Sequence, residues 1–153
     1  MSGPEMTASS ATEDRKGWMG LMARAKAARL AELFPDLPSH DMLRPPETGA
    51  VMVQGRTGGT GQPFNLGEMT VTRCVLRLAS GAVGHAHVQG RDTAHATRAA
   101  VLDALMQTPE GSVLRASVLA PLQAEEAARR AATGARAATT RVEFFTLVRG
   151  EDQ

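Results

Sequence analysis

Glu68-Met69-Thr70-Val71-Thr72-Arg73-Cys74-Val75-Leu76-Arg77-Leu78, then Ala79-Ser80-Gly81-Ala82, then Val83-Gly84-His85-Ala86-His87-Val88-Gln89 is the stretch that decides the fold. Two runs rich in Thr and Val flank a short turn that contains glycine, so residues 68–89 read as a β-hairpin. Asp92 follows at once, placed to cap a helix reaching about Gln107 whose Val101, Leu102, Leu105 and Met106 form an apolar stripe. Pro109 and Gly111 end that helix. A hairpin leading directly into an amphipathic helix sets an α+β pattern, in which the sheet buries one face under helices.

Moving toward the N-terminus, residues 55–61 hold four glycines ahead of Gln62-Pro63, which forces a loop with unusual backbone angles. Residues 50–56 read as a further strand. The prolines at 35, 38, 45 and 46 mark residues 35–48 as an extended connector. Before it, Trp18, Leu21, Met22, Ala25, Leu30, Leu33 and Phe34 recur at helical spacing. Ser10 and Glu13 have capping-box spacing, Pro35 supplies a stop, and Gly17 and Gly20 weaken the helix between them.

Toward the C-terminus, residues 114–122 form a short apolar run containing Pro121 and read as a short helix. Residues 123–138 are alanine-rich, with Glu125 and Glu126 four residues ahead of Arg129 and Arg130, which predicts a solvated helix ending near Gly134. Residues 141–149 alternate, with Phe144 and Phe145 on opposite faces, and read as a strand covered on both sides. The expected architecture is α+β, a mainly antiparallel sheet of about four strands with an N-terminal helix and two to three later helices. Residues 1–12 read as a flexible tail, 13–150 as a single domain and 151–153 as a C-terminal tail.

Composition narrows the function. At 153 residues the chain holds one domain. Seventeen basic and sixteen acidic side chains give a net charge of +1, without the strong field of a general nucleic-acid or membrane-surface binder. One Trp, four Phe and no Tyr leave little material for stacking single-stranded bases. A lone cysteine, Cys74, closes no intramolecular disulfide and builds no four-thiolate metal site, as befits a cytosolic protein. No apolar run approaches the length of a membrane-spanning helix, and a soluble protein is expected.

Four sets of residues carry candidate chemistry. In the glycine loop, Arg56 with Gly58, Gly59, Thr60 and Gly61, followed by Asn65, offers backbone N–H groups and a planar cation to an anion. The loop is neither a Walker A motif nor a dinucleotide fingerprint, and a sharply turned loop pressed against another chain explains the same glycines. Arg73 adds a further cation, and at the strand-to-helix junction Arg91, Asp92 and His95 could hold a phosphate, although the carboxylate opposes an anion and capping is its simpler role. His85 and His87, with His95 as a third ligand, have metal-compatible spacing but nothing to complete the set, so solvated histidines and no metal are expected. Trp18, Met19, Phe144, Phe145 and Arg149 are candidate interface residues. No Ser, Cys or Thr stands at a recognisable spacing from a histidine and an acid, so the residues offer no catalytic set.

The ordered segments Trp18-Met19, Arg56 with Gly58-Gly59-Thr60-Gly61, Pro63-Phe64-Asn65-Leu66-Gly67-Glu68, Thr70-Val71-Thr72-Arg73, Gly90-Arg91-Asp92, His95-Ala96, Asp103-Ala104-Leu105, Pro121-Leu122 and Arg141-Val142-Glu143-Phe144-Phe145-Thr146-Leu147-Val148-Arg149-Gly150 resemble the G-subunit family (PhnG) of the bacterial carbon-phosphorus lyase system. The resemblance spans about 18–150 and excludes His85 and His87. It implies a cytoplasmic complex that lets bacteria use alkylphosphonates, with G, H, I and J subunits in its core. There the I subunit, helped by G, H and L, displaces adenine from MgATP with a phosphonate to give ribose 1-methylphosphonate 5-triphosphate. The J subunit, a radical S-adenosylmethionine enzyme, later breaks the carbon-phosphorus bond. The expected role is an accessory or structural subunit that binds no cofactor by itself, MgATP being a substrate of the complex. The alternatives are an anion- or nucleotide-binding enzyme acting alone through the glycine loop, and an unrelated small regulator.

Overall fold

The computed structural model describes residues 8–142. Their order is α1 (Ala8–Arg24), α2 (Ala27–Leu33), β1 (His40–Arg56), β2 (Pro63–Leu78), β3 (Val83–Gln89), α3 (Thr93–Met106), α4 (Gly111–Leu114), a π-helical turn (Arg115–Leu119) and α5 (Ala120–Thr139). The three strands form one antiparallel sheet in the order β1-β2-β3. The α+β class therefore holds, with three strands among the described residues. The strand expected at 141–149 lies almost wholly outside them, as do the tail residues 1–7 and 151–153.

The hairpin turn falls at 79–82 as expected, and Gly81 has φ of 90°, a left-handed angle that a β-carbon disfavours. Asp92 caps α3, its Oδ1 accepting from the His95 N–H at 2.9 Å. Helix α3 lies close on the sheet because both surfaces are small there. It presents Ala96, Ala99, Ala100 and Ala104, all buried, while a β-carbon on Gly84 would overlap the Ala100 carbonyl oxygen. Leu30, Leu76, Leu102 and Val101 fill the core at 0–1% exposure, each worth roughly 1.5–3 kcal/mol of transfer free energy.

Four boundaries differ from the sequence reading. Helix α1 starts at Ala8, so residues 8–12 belong to it rather than to the tail, and Ser10 is inside the helix rather than its cap. The expected single N-terminal helix is two, broken at Ala25-Lys26. The break frees the Met22 carbonyl, which accepts from His95 Nε2 at 2.8 Å, so a tertiary contact supplies the bond a continuous helix would have made.

The connector at 35–48 is largely strand, β1 beginning at His40. Pro45 and Pro46 fit because β1 is an edge strand and its register shifts between Arg44 and Glu47, where the missing N–H groups cost no ladder bond. Finally, residues 111–139 form one helical run across Pro121, not two helices, and it passes Gly134. Pro121 has no N–H to return to the Ser117 carbonyl, and the π turn just before it is the widening that admits its ring.

Candidate functional site

Strand β3 pairs with β2 only from Val71 to Arg77, whereas β1 and β2 stay paired out to Arg56↔Pro63. Residues 49–70 therefore project as a two-stranded arm, roughly 25 Å long at 3.4 Å per residue. A two-stranded ribbon is marginal by itself in water, and this one exposes Met52, Phe64 and Leu66 at 54%, 44% and 67%. Phe64 lies across Gly55, where a β-carbon would sit 3.4 Å from its ring. The glycine loop is the tip of this arm: Gly58 and Gly59 have φ of 61° and 84°, and the Gly61 N–H bonds the Thr57 carbonyl at 2.8 Å.

Arg56 donates to the Gly61 carbonyl at 3.2 Å, so the cation is turned back onto its own loop. Thr60 closes the short helical turn at the tip, and Asn65 is exposed on β2 opposite Gln54. The structure brings Arg56, Gly58, Gly59, Thr60 and Gly61 together but leaves the other candidates elsewhere. Arg73 lies on the uncovered face of the sheet, in one cross-strand row with Glu47 and His87, 3.6 Å from the Glu47 carboxylate. Arg91 is exposed beside the α3 cap.

His95 is buried and tied to Met22, whereas His85 and His87 are exposed on β3. The three thus cannot share an ion, and among the described residues no three metal-binding side chains cluster. Protein prepared without a histidine tag is expected to carry well under one equivalent of metal by elemental analysis. A stoichiometric metal lost on changing His85 and His87 to alanine would contradict this.

Trp18, expected at an interface, is core at 7% exposure, while Met19 is half-buried at the edge of the hydrophobic cluster. Phe144, Phe145 and Arg149 lie outside the described residues. The residue that the sequence reading passed over is Asp103, at 0% exposure. Its Oδ1 accepts from Arg15 Nε at 3.1 Å and Trp18 Nε1 at 2.9 Å, and its Oδ2 from Arg15 Nη2 at 2.7 Å and the His85 N–H at 2.8 Å. Hydrogen bonding to Asp103 raises the pKa of the Arg15 guanidinium. One carboxylate thus locks α1, α3 and β3 together, a structural task. Its signals in the sequence are an acid inside the apolar stripe of α3 and its place in the Asp103-Ala104-Leu105 segment of the family resemblance.

Burial pushes the Cys74 thiol up to about 11, which keeps it protonated and inert near neutral pH. No helix among the described residues is long and apolar enough to cross a membrane.

The described residues form a small α+β module whose prominent exposed element is a projecting arm. The family described as phosphonate metabolism protein PhnG matches residues 13–150, and the chain belongs to it. The chain is also 46% identical over 145 residues, 90% of each sequence, to the alpha-D-ribose 1-methylphosphonate 5-triphosphate synthase subunit PhnG of Rhizobium meliloti (strain 1021).

Proposed function

We propose that this chain is an accessory, structural subunit of the complex that makes alpha-D-ribose 1-methylphosphonate 5-triphosphate from MgATP and methylphosphonate with release of adenine, a transferase reaction in organic phosphonate catabolism. Its partners in this reading are the I, H and J subunits of the carbon-phosphorus lyase core, with the L subunit acting alongside, in the cytoplasm. The chain binds no cofactor alone, and MgATP belongs to the assembled complex.

The observation that carries the reading is the arm. Strands that extend past the sheet with Met52, Phe64 and Leu66 in solvent find their burial in another protein. A stand-alone nucleotide enzyme built on the glycine loop fits less well. Displacing adenine requires groups that stabilise the departing base and position the phosphonate, and the loop offers only amides and Arg56, which is already engaged by Gly61.

Co-expression with the other subunits of the synthase tests this. The full chain is expected to co-purify stoichiometrically with the I subunit and to gain protease resistance across residues 49–70. A monodisperse monomer with no affinity for those subunits would refute it.

A further inference from the structure

The uncovered face of the sheet carries more cationic side chains than its carboxylates neutralise. Pairing across the strands aligns Glu47, Arg73 and His87 in one row and Arg44, Val75 and His85 in the next. Arg44 donates to Glu47 at 2.9 Å, while Arg73 stands 3.6 Å from the same carboxylate, beyond hydrogen-bonding range. Two guanidiniums thus share one negative charge, and Glu47 leaves the fork of Arg73 unoccupied. One row further on, Arg77 and Asp41 face each other at 4.0 Å and balance one another. Between the first two rows lies a recess of 340 Å³ lined by Arg44, Arg73, Val75, His85 and His87, which Met19 of α1 also reaches. Among the described residues no carboxylate lines it.

We propose that this recess binds a dianionic phosphoryl-type (PO3) group, free as phosphate or carried by an organic phosphate or phosphonate. Charge, shape and volume agree on that chemistry. A tetrahedral PO3 group spreads three acceptor oxygens in different directions, so it accepts from two guanidinium forks and an imidazole at once. A planar carboxylate has two oxygens and is satisfied by a single fork. Each imidazole supplies an N–H donor in either protonation state, and Val75, short beside the arginines and histidines around it, leaves the space above it open. The volume falls in the range of small-molecule sites, roughly 300–1,000 Å³. Met19, His85 and His87 also line a larger groove of 590 Å³ along α1, which gives the remainder of a molecule bearing the group room to extend.

The arginines that brace the fold differ from this pair. Arg15 is held by Asp103, Arg24 by Glu126 and Arg115 by Asp14, each on its own carboxylate, and Arg56 is turned onto the Gly61 carbonyl. On the sheet face the surplus charge is instead gathered on one side of a recess, with two histidines opposite. Holding the group is the whole task of these four side chains, so the site adds binding and no turnover to the chain. The inference rests on the sheet face alone and does not depend on which reaction the complex performs.

The chain has four histidines, so imidazole NMR of the full-length protein reads the site directly. Inorganic phosphate, titrated at fixed pH and at an ionic strength held constant with chloride, is expected to shift the His85 and His87 rings saturably. The rings of His40, bonded to the Pro38 carbonyl, and of buried His95 should stay in place and report an intact fold in every variant. Arg73→Gln should raise the half-saturating phosphate concentration at least about tenfold, the loss of one charged hydrogen-bonding partner. Arg136→Gln, which removes the same charge from the exposed end of α5, should change it less than about twofold. Methylphosphonate and MgATP, titrated in the same way, distinguish the sources: the one that displaces phosphate at the lower concentration identifies the carrier of the group. No saturable shift with any of the three would overturn the proposal. So would a shift that Arg73→Gln leaves unchanged, or one that Arg136→Gln weakens equally.

Discussion

Asp103→Ala is expected to lower the unfolding free energy of the chain by about 3 kcal/mol or more, the range found when one partner of a buried ion pair is removed. The carboxylate is fully buried and takes four hydrogen bonds, from Arg15 twice, from Trp18 and from the His85 amide. Its loss leaves the Trp18 N–H without an acceptor inside the core and Arg15 without its counter-charge. For a domain of this size the loss corresponds to a fall in Tm of roughly 6–12 °C. Asp103→Asn keeps one acceptor oxygen and should fall between the two. Urea unfolding of the full chain measures the difference; an Asp103→Ala protein within about 0.5 kcal/mol of the original would show that the hub is dispensable. The same change should loosen α1 from β3, because the Arg15 and His85 contacts cross that boundary.

The second large effect is on assembly, with stability nearly untouched. Met52→Asp combined with Leu66→Asp places two charges where the arm now exposes 54% and 67% of two apolar side chains. Exposed positions away from core contacts change stability by about 0.5 kcal/mol or less. Buried in a partner, however, each becomes an uncompensated charge, and losing two hot-spot contacts of about 2 kcal/mol each weakens binding by more than roughly 100-fold. A competition pull-down against the I subunit, paired with a melting curve of the isolated variant, reads both halves. Unaltered binding would remove the arm from the interface; a collapsed melting curve would show that these residues serve the fold instead.

The hairpin at 68–89 and the helix capped by Asp92 were legible in the sequence because their signals are local: alternating Thr and Val, a glycine in the turn, an acid at the cap. The first half of β1 is not, since Pro45 and Pro46 read as a connector until an edge position and a register shift accommodate them. The helical run across Pro121 was hidden for a similar reason, because a π turn absorbs what a proline ordinarily breaks. The division of the N-terminal helix rests on His95 bonding the Met22 carbonyl, a contact between residues 73 apart that periodicity cannot register.

With Met19 and Met22 on a helix weakened by Gly17 and Gly20, Trp18 reads as an interface residue. Its partner Asp103, 85 positions away, makes it core. Of the candidate site, the glycine loop was found correctly as an unusual turn, while its place at the end of a projecting ribbon emerged only from the unequal lengths of β2 and β3. That unequal length is what places the loop at the tip of a projecting ribbon.

The place where the chemistry occurs decides between an accessory subunit and an enzyme. MgATP and methylphosphonate would be supplied in turn to the isolated chain, to the remaining synthase subunits without it, and to the full set, with adenine release followed in each. The account predicts no adenine from the chain alone, sustained release from the full set, and a loss of that release when the chain is omitted that adding it back restores. Adenine released by the isolated chain would contradict it.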